Sequence, residues 1–130
     1  MFGRNLNPTA AYERVSVDSA VQSADPHRLI LLLFQGAESG IALAKESIKL
    51  ENFAAKSQAI SKSIDIINNG LLASLDRSAG DLAEKLAALY EYMTMRLLRA
   101  NLKNDVEALD EVSYLLGEIR SAWEEIAPKE

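Results

Sequence analysis

The sequence predicts an all-α fold: an antiparallel up-down-up-down four-helix bundle with a short N-terminal segment or helix packed on it. Three observations carry this. Apolar residues recur at spacings of three and four over most of the chain, the period of one helix face. Helix breakers are scarce, with 6 Gly and 3 Pro among 130 residues. The periodic stretches are joined by connectors of a few residues, which favour antiparallel neighbours. The length suits one domain spanning 1–130, with residues 1–24 as a mobile cap segment.

The first ten residues, with Gly3, Asn5, Asn7 and Pro8, read as a flexible lead-in. Val17, Ala20, Val21 and Ala24 are spaced for a short amphipathic helix, although the alternation through Val15-Ser16-Val17 weakens it. A long helix follows over about 26–50. Asp25 suits its N-cap and Pro26 its first position. Six large apolar residues, Leu29 to Phe34, open it. Leu29, Leu32, Leu33, Gly36, Gly40, Leu43, Ala44 and Ser47 fall on one face, which is assigned to the core. Ile30, Phe34, Ala37 and Ile41 form a second stripe, and Leu31 lies on the far side. Either this helix sits between neighbours on two sides, or part of its apolar surface is kept for a partner.

Asn52 is a candidate cap for the second helix, about 53–75, with the stripe Phe53, Ile60, Ile64, Ile67, Leu71 and Leu75. Asn68-Asn69-Gly70 is a turn signal inside it, and the helix is carried through because the stripe stays in phase. Asp76 to Gly80 is a polar connector. The third helix, about 81–103, has the core stripe Leu82, Leu86, Leu89, Tyr90, Met93, Leu97 and Ala100. Tyr92, Met95, Leu98 and Leu102 are surplus to it. Arg96, Arg99 and Lys103 lie toward its C-terminal end, where cations suit the helix dipole. Asn104 or Asp105 caps the fourth helix, about 105–126. Its stripe runs Leu109, Val112, Leu115, Leu116, Ile119, Trp123 and Ile126, and its outer side is acidic.

Composition narrows the function. The balance of 48% hydrophobic and 25% charged residues is that of a folded protein. A net charge of −5 disfavours nucleic-acid or anionic-membrane partners. There is no Cys, so no disulfide framework and no thiol chemistry. The six-residue apolar run is far too short to span a bilayer, no signal-peptide pattern opens the chain, and a cytosolic protein is expected. No phosphate loop, no paired Glu-x-x-His and no nucleophile with a base partner is present, so no enzyme, cofactor or metal is expected. His27, the single histidine, reads as a helix-start surface residue; the alternative is a phosphotransfer histidine. The acidic side of the fourth helix reads as a solvated face, or as a docking site for a basic partner. Gly36 and Gly40 permit close helix approach, or floor a groove. Tyr90 and Tyr92 are half-buried core rings or groove lining. A contiguous surplus of apolar residues on the first and third helices would mark an interaction surface, and a dimerisation or adaptor bundle would use it on a second copy.

Ala11-Tyr12 through Val15 and Val17, Ala24 through Ile30, Leu33 to Ala37, Ile60 to Ile67, Leu89 to Met93, Arg96 to Asn101, and Ile119 to Trp123 are distinctive in their order and spacing. Together they resemble the flagellin-specific export chaperones of the FliS family. The resemblance runs from about Tyr12 to Pro128. It implies a helical bundle of the bacterial cytosol that binds the disordered C-terminal segment of flagellin, one chaperone to one flagellin, in hydrophobic grooves. Capture would block premature polymerisation and deliver flagellin to the type III export apparatus. The export-gate protein and an anti-sigma factor are further partners to consider. The N-terminal segment, through the matched Tyr12, would cover a groove in the free protein. The expected partner-binding residues are therefore Tyr12, Val15, Ile30, Leu31, Phe34, Ile41, Tyr90, Tyr92, Met95, Leu98 and Leu102.

Overall fold

The computed structural model describes residues 25–126. The lead-in, the expected helix before residue 25, Tyr12, Val15 and Pro128 lie outside them. Four helices make up the described chain: α1 Pro26–Lys49, α2 Phe53–Ile66, α3 Asp81–Lys103 and α4 Val106–Glu125. A π-helical segment, Ile67–Leu72, continues α2, and a single 3-10 turn, Arg77–Ala79, precedes α3. At 1.5 Å per residue the 24 residues of α1 reach about 36 Å.

Local chemistry sets the helix starts. Asp25 accepts a hydrogen bond from the Arg28 N–H at 2.7 Å, Asn52 from the Ala55 N–H at 3.2 Å, and Asp105 from the Ala108 N–H at 3.2 Å. Each satisfies an amide with no intrahelical partner, a contribution of about 0.5–2 kcal/mol. Asn104 takes the left-handed conformation that ends α3, with φ 54°. Gly80 precedes α3 at φ 106°, where a Cβ would be strained. No side chain caps α3. Acids in its first turn, Asp81 and Glu84, face the positive helix end instead.

Contacts between neighbouring helices run in opposite chain order, so each pair is antiparallel. Between α1 and α4, His27 meets Trp123, Glu38 meets Arg120 and Lys45 meets Asp110. Between α3 and α4, Arg96 pairs with Glu111 and Arg99 with Asp105. Between α2 and α3, Lys56 Nζ donates to the Asn101 carbonyl at 2.8 Å and to Asn104 Oδ1 at 2.7 Å. The helices thus close a ring in chain order around one core: Phe34, Ile41, Ile60, Ile67, Met93, Leu97, Leu109 and Leu116 are all fully enclosed.

The α1–α2 approach is the closest. A Cβ on Gly40 would sit 2.2 Å from Ser63 Oγ and 3.1 Å from the Ala59 carbonyl oxygen. The Ser63 hydroxyl, fully buried, donates to the Ala37 carbonyl at 2.9 Å. Forcing the helices apart there would cost about 1–3 kcal/mol. Close approach is therefore the role of Gly40, and Gly36 packs against Ile66 on the same face.

Three assignments are corrected. On α1 the second stripe carries the core: Phe34, Ala37 and Ile41 are 1%, 0% and 0% exposed, while Leu43, expected inside, is 56% exposed. Leu31 is buried as well. The reason is that α1 packs against α2 and α4 on adjoining sides, so its buried arc is wide and centred on the second stripe, with Leu31 at one edge and Gly40, Ala44 and Ser47 at the other. On α3, Leu82 is exposed and Leu86 and Leu89 are half-buried; Ala83 and Ala87 take the inner positions because small residues let the neighbours approach. On α2, the continuous helix to Leu75 gives way to the π-helical segment, and the chain leaves the helix after Leu72.

Candidate functional site

At the end of the bundle where α1 begins and α4 finishes, four elements fail to close over one another. The π-helical segment ends and the chain runs out through Ser74 to Gly80 before re-entering α3. An apolar cleft of about 300 Å³ remains. Ile30 and Phe34 of α1, Leu71 and Leu75, Leu82, Leu86 and Tyr90 of α3, and Ile119 and Trp123 of α4 line it. Two of its polar side chains, Ser74 and Asp76, are already engaged. Ser74 Oγ donates to the Leu71 carbonyl at 2.9 Å, and Asp76 accepts from the backbone and hydroxyl of Ser78. Those bonds hold the Asp76 carboxyl below its usual pKa range. The cleft thus offers apolar contact and little hydrogen-bonding specificity. Burial pushes the Tyr90 phenol up to about 12, so the ring is neutral wherever the protein is folded at ordinary pH.

A second hollow adjoins the first, bordered by Pro26, His27, Leu29, Ile30, Ser74, Trp123 and Ile126. Asp25 also borders it, so residues 1–24 join the described chain beside this hollow. His27 corrects its sequence assignment. The imidazole is half-buried and stacks on the Trp123 ring, centroids 4.7 Å apart and planes 8° from parallel. Its Nε2 donates to the Trp123 carbonyl at 2.6 Å, and Trp123 Nε1–H donates to the His27 carbonyl at 2.9 Å. This nitrogen is committed to a structural bond rather than offered for phosphotransfer.

A separate apolar surface lies on α3. Tyr92, Met95, Leu98 and Leu102 are all exposed and share its outer face. At 100° per residue, Met95 points about 180° away from Leu86, which faces the cleft. Tyr92 is held over α4 by its hydroxyl, which donates to Glu111 Oε2 at 2.7 Å. Arg96 Nε donates to the other oxygen of Glu111 at 2.6 Å. The two donors pull the Glu111 carboxyl below its usual range, and the carboxylate raises the Tyr92 phenol. The acidic side of α4 is thereby partly occupied within the bundle: Asp110, Glu111 and Glu124 pair with Lys45, Arg96 and Arg120.

The expected binding residues therefore separate. Ile30, Phe34 and Tyr90 come together in the cleft, with Phe34 and Tyr90 as its buried floor. Tyr92, Met95, Leu98 and Leu102 come together on α3, away from the cleft. Leu31 and Ile41 join neither group; Ile41 lies toward the opposite end of α1, beside Val106. Leu75, Ile119 and Trp123, read from sequence as core, pack against it and border the cleft as well, and Leu82 borders the cleft while exposed. For Leu75 and Leu82, their position flanking the Asp76–Gly80 connector was the available signal: an apolar residue at a helix end has fewer neighbours to cover it.

Among the described residues, no group of His, Asp or Glu is placed to hold a metal ion, and no helix is long and apolar enough to cross a membrane. A helical bundle exposing apolar surface on two faces has the make-up of a protein that holds another chain. The family described as "Flagellar protein FliS" matches residues 8–130. The chain is 50% identical over 120 residues to the flagellar secretion chaperone FliS of Salmonella typhimurium, covering 92% of this chain and 89% of that protein. It is 45% identical over 117 residues to the flagellar secretion chaperone FliSB of Pseudomonas aeruginosa, covering 89% and 92%. It is 34% identical over 124 residues to the flagellar secretion chaperone FliS of Bacillus subtilis, covering 95% and 89%. The chain belongs to the FliS family of flagellar export chaperones.

Proposed function

We propose that this chaperone binds the disordered C-terminal segment of flagellin in the cytosol, one to one, and holds it from polymerising until it reaches the type III export apparatus. The observation that supports this most is the apolar cleft, whose Ser74 and Asp76 side chains are already bonded within the chain. Flagellin's terminal segments pair with each other through apolar helix faces in a filament, so a protein that shields them must present matching apolar surface. A segment that folds on binding gives up conformational entropy and needs a large interface to offset it. The cleft and the α3 face together supply one. The binding residues we assign are Ile30, Phe34 and Tyr90 in the cleft, and Tyr92, Met95, Leu98 and Leu102 on α3. Leu31 and Ile41 act through the fold. Tyr12 and Val15 belong to the segment that would cover the cleft before flagellin arrives. The export-gate protein and an anti-sigma factor are further partners to be tested.

The test is co-sedimentation of the chaperone with intact flagellin and with flagellin lacking its C-terminal segment. A one-to-one complex with the first and none with the second is expected. Equal binding of both sinks the proposal, and a stable dimer that ignores flagellin would favour the adaptor reading. Tyr12→Ala adds a sign test: it should lower the melting temperature while leaving or raising flagellin affinity, because a competitor for the cleft is removed.

A further inference from the structure

We propose that His27 is a positioning residue for partner binding: it locks the Trp123 ring as the wall shared by two apolar compartments, and so sets the affinity of the cleft for an apolar segment. The inference rests on the reading that the cleft receives a partner.

The two residues are held by a reciprocal bond. Each donates through its ring N–H to the other's backbone carbonyl, at 2.6 and 2.9 Å, and the rings stack. A carbonyl can only accept, so His27 Nε2 carries the proton. Trp123 lies in the last turn of α4, where its carbonyl also accepts from the Ile126 N–H at 3.3 Å, and His27 takes the second acceptor position. Water could satisfy these half-buried groups as well. The indole N–H keeps the main-chain carbonyl of residue 27 in any variant; what the imidazole adds, and water cannot, is the stacked face that fixes the ring's orientation.

That orientation matters because of where the ring stands. Trp123 borders the cleft with Phe34, Leu86 and Tyr90, and it borders the adjoining hollow with Pro26 and Leu29. An indole free to change rotamer would swing into one compartment or the other and fill space that a partner's side chain needs. Holding it in place in the free protein removes an ordering cost at the moment of binding.

A purely structural role predicts a stability loss with no change in affinity, so the experiment separates the two. Trp123 is the chain's single tryptophan, and its fluorescence anisotropy reports ring mobility directly. The full chain would be compared as wild type, His27→Ala and His27→Phe, whose ring can keep the stack on Trp123. Affinity would be measured for flagellin and, independently, for the apolar dye anilinonaphthalene sulfonate. We expect His27→Ala to lower the anisotropy and weaken both ligands about tenfold, the size of a typical interface anchor. His27→Phe should restore both. If His27→Ala binds both ligands as the wild type does, or His27→Phe recovers nothing, the proposal is overturned. If His27→Ala fails to fold, His27→Ser, which has no ring to stack, takes its place in the comparison. Should the wild type bind the dye but not flagellin, the chaperone–flagellin reading fails, and the dye series still decides the role of His27.

Discussion

Tyr90 serves the core and the cleft with one side chain. It is 3% exposed, it packs in the main hydrophobic cluster, and it floors the apolar cleft. Burial raises its phenol from 10.0 to about 12. The folded state thus holds the phenolic proton more tightly than the unfolded chain does. Its contribution to stability is fully present below pH 10 and is lost as pH rises from there toward 12. Denaturant melts of wild type and Tyr90→Phe across this range should show the wild type losing stability faster. Equal slopes would mean that the ring is wetter than its burial implies. Tyr92 has the same sign of shift for another reason, its bond to Glu111, so Tyr92→Phe is the necessary companion. At this scale the sequence was partly legible. The capping roles of Asp25, Asn52 and Asp105 follow from residue type and position. The role of His27 does not, because its partner lies 96 residues away and pairs with it only once the bundle has closed.

Element boundaries were legible where the end has its own chemistry, and less so where a helix changes its pitch. The gaps of three and four through Ile60, Ile64, Ile67 and Leu71 fit a widened turn as well as a normal one, so periodicity could not see the π-helical segment. Asn68-Asn69-Gly70 did mark it. Gly70 is pressed against Leu33, where a Cβ would lie 3.0 Å from the nearest methyl carbon. A π turn holds one residue more than an α turn closes over. Deleting exposed Asn69 should therefore let the segment relax to α-helix with Leu71 and Leu75 still at the cleft. We expect this variant to fold and to melt within a few degrees of the wild type. Deleting Lys62, equally exposed but inside regular α2, should turn Ser63 away from Gly40 and cost more than about 2 kcal/mol. If the two deletions are equally harmful, the π segment is not a tolerated insertion. Which face of α1 is buried was illegible for a different reason. A helix with neighbours on two sides buries an arc wider than one stripe, and the sequence does not say where that arc is centred.

At the scale of the whole molecule, the two apolar surfaces lie on opposite sides of α3. From Leu86 to Leu98 is about 18 Å along the helix axis, with about a third of a turn around it as well. One straight helix cannot cover both. A single partner segment that uses both must cross over α3, and the two contacts then act as linked sites, each raising the effective concentration of the other. Met95 and Leu98 are 69% and 58% exposed and do nothing for the core, so Met95→Ala with Leu98→Ala should leave the melting temperature nearly unchanged. Burying a Leu or Met side chain contributes about 1.5–3 kcal/mol. If the α3 face is covered in the complex, the double variant should bind full-length flagellin at least about tenfold more weakly. A peptide from flagellin short enough to fill only the cleft should bind wild type and double variant alike. The pairing of the two results is what counts. Weakened binding of both ligands would mean that the substitutions had disturbed the cleft from a distance. Unchanged binding of both would release the α3 face from flagellin and leave it as a surface for a second partner.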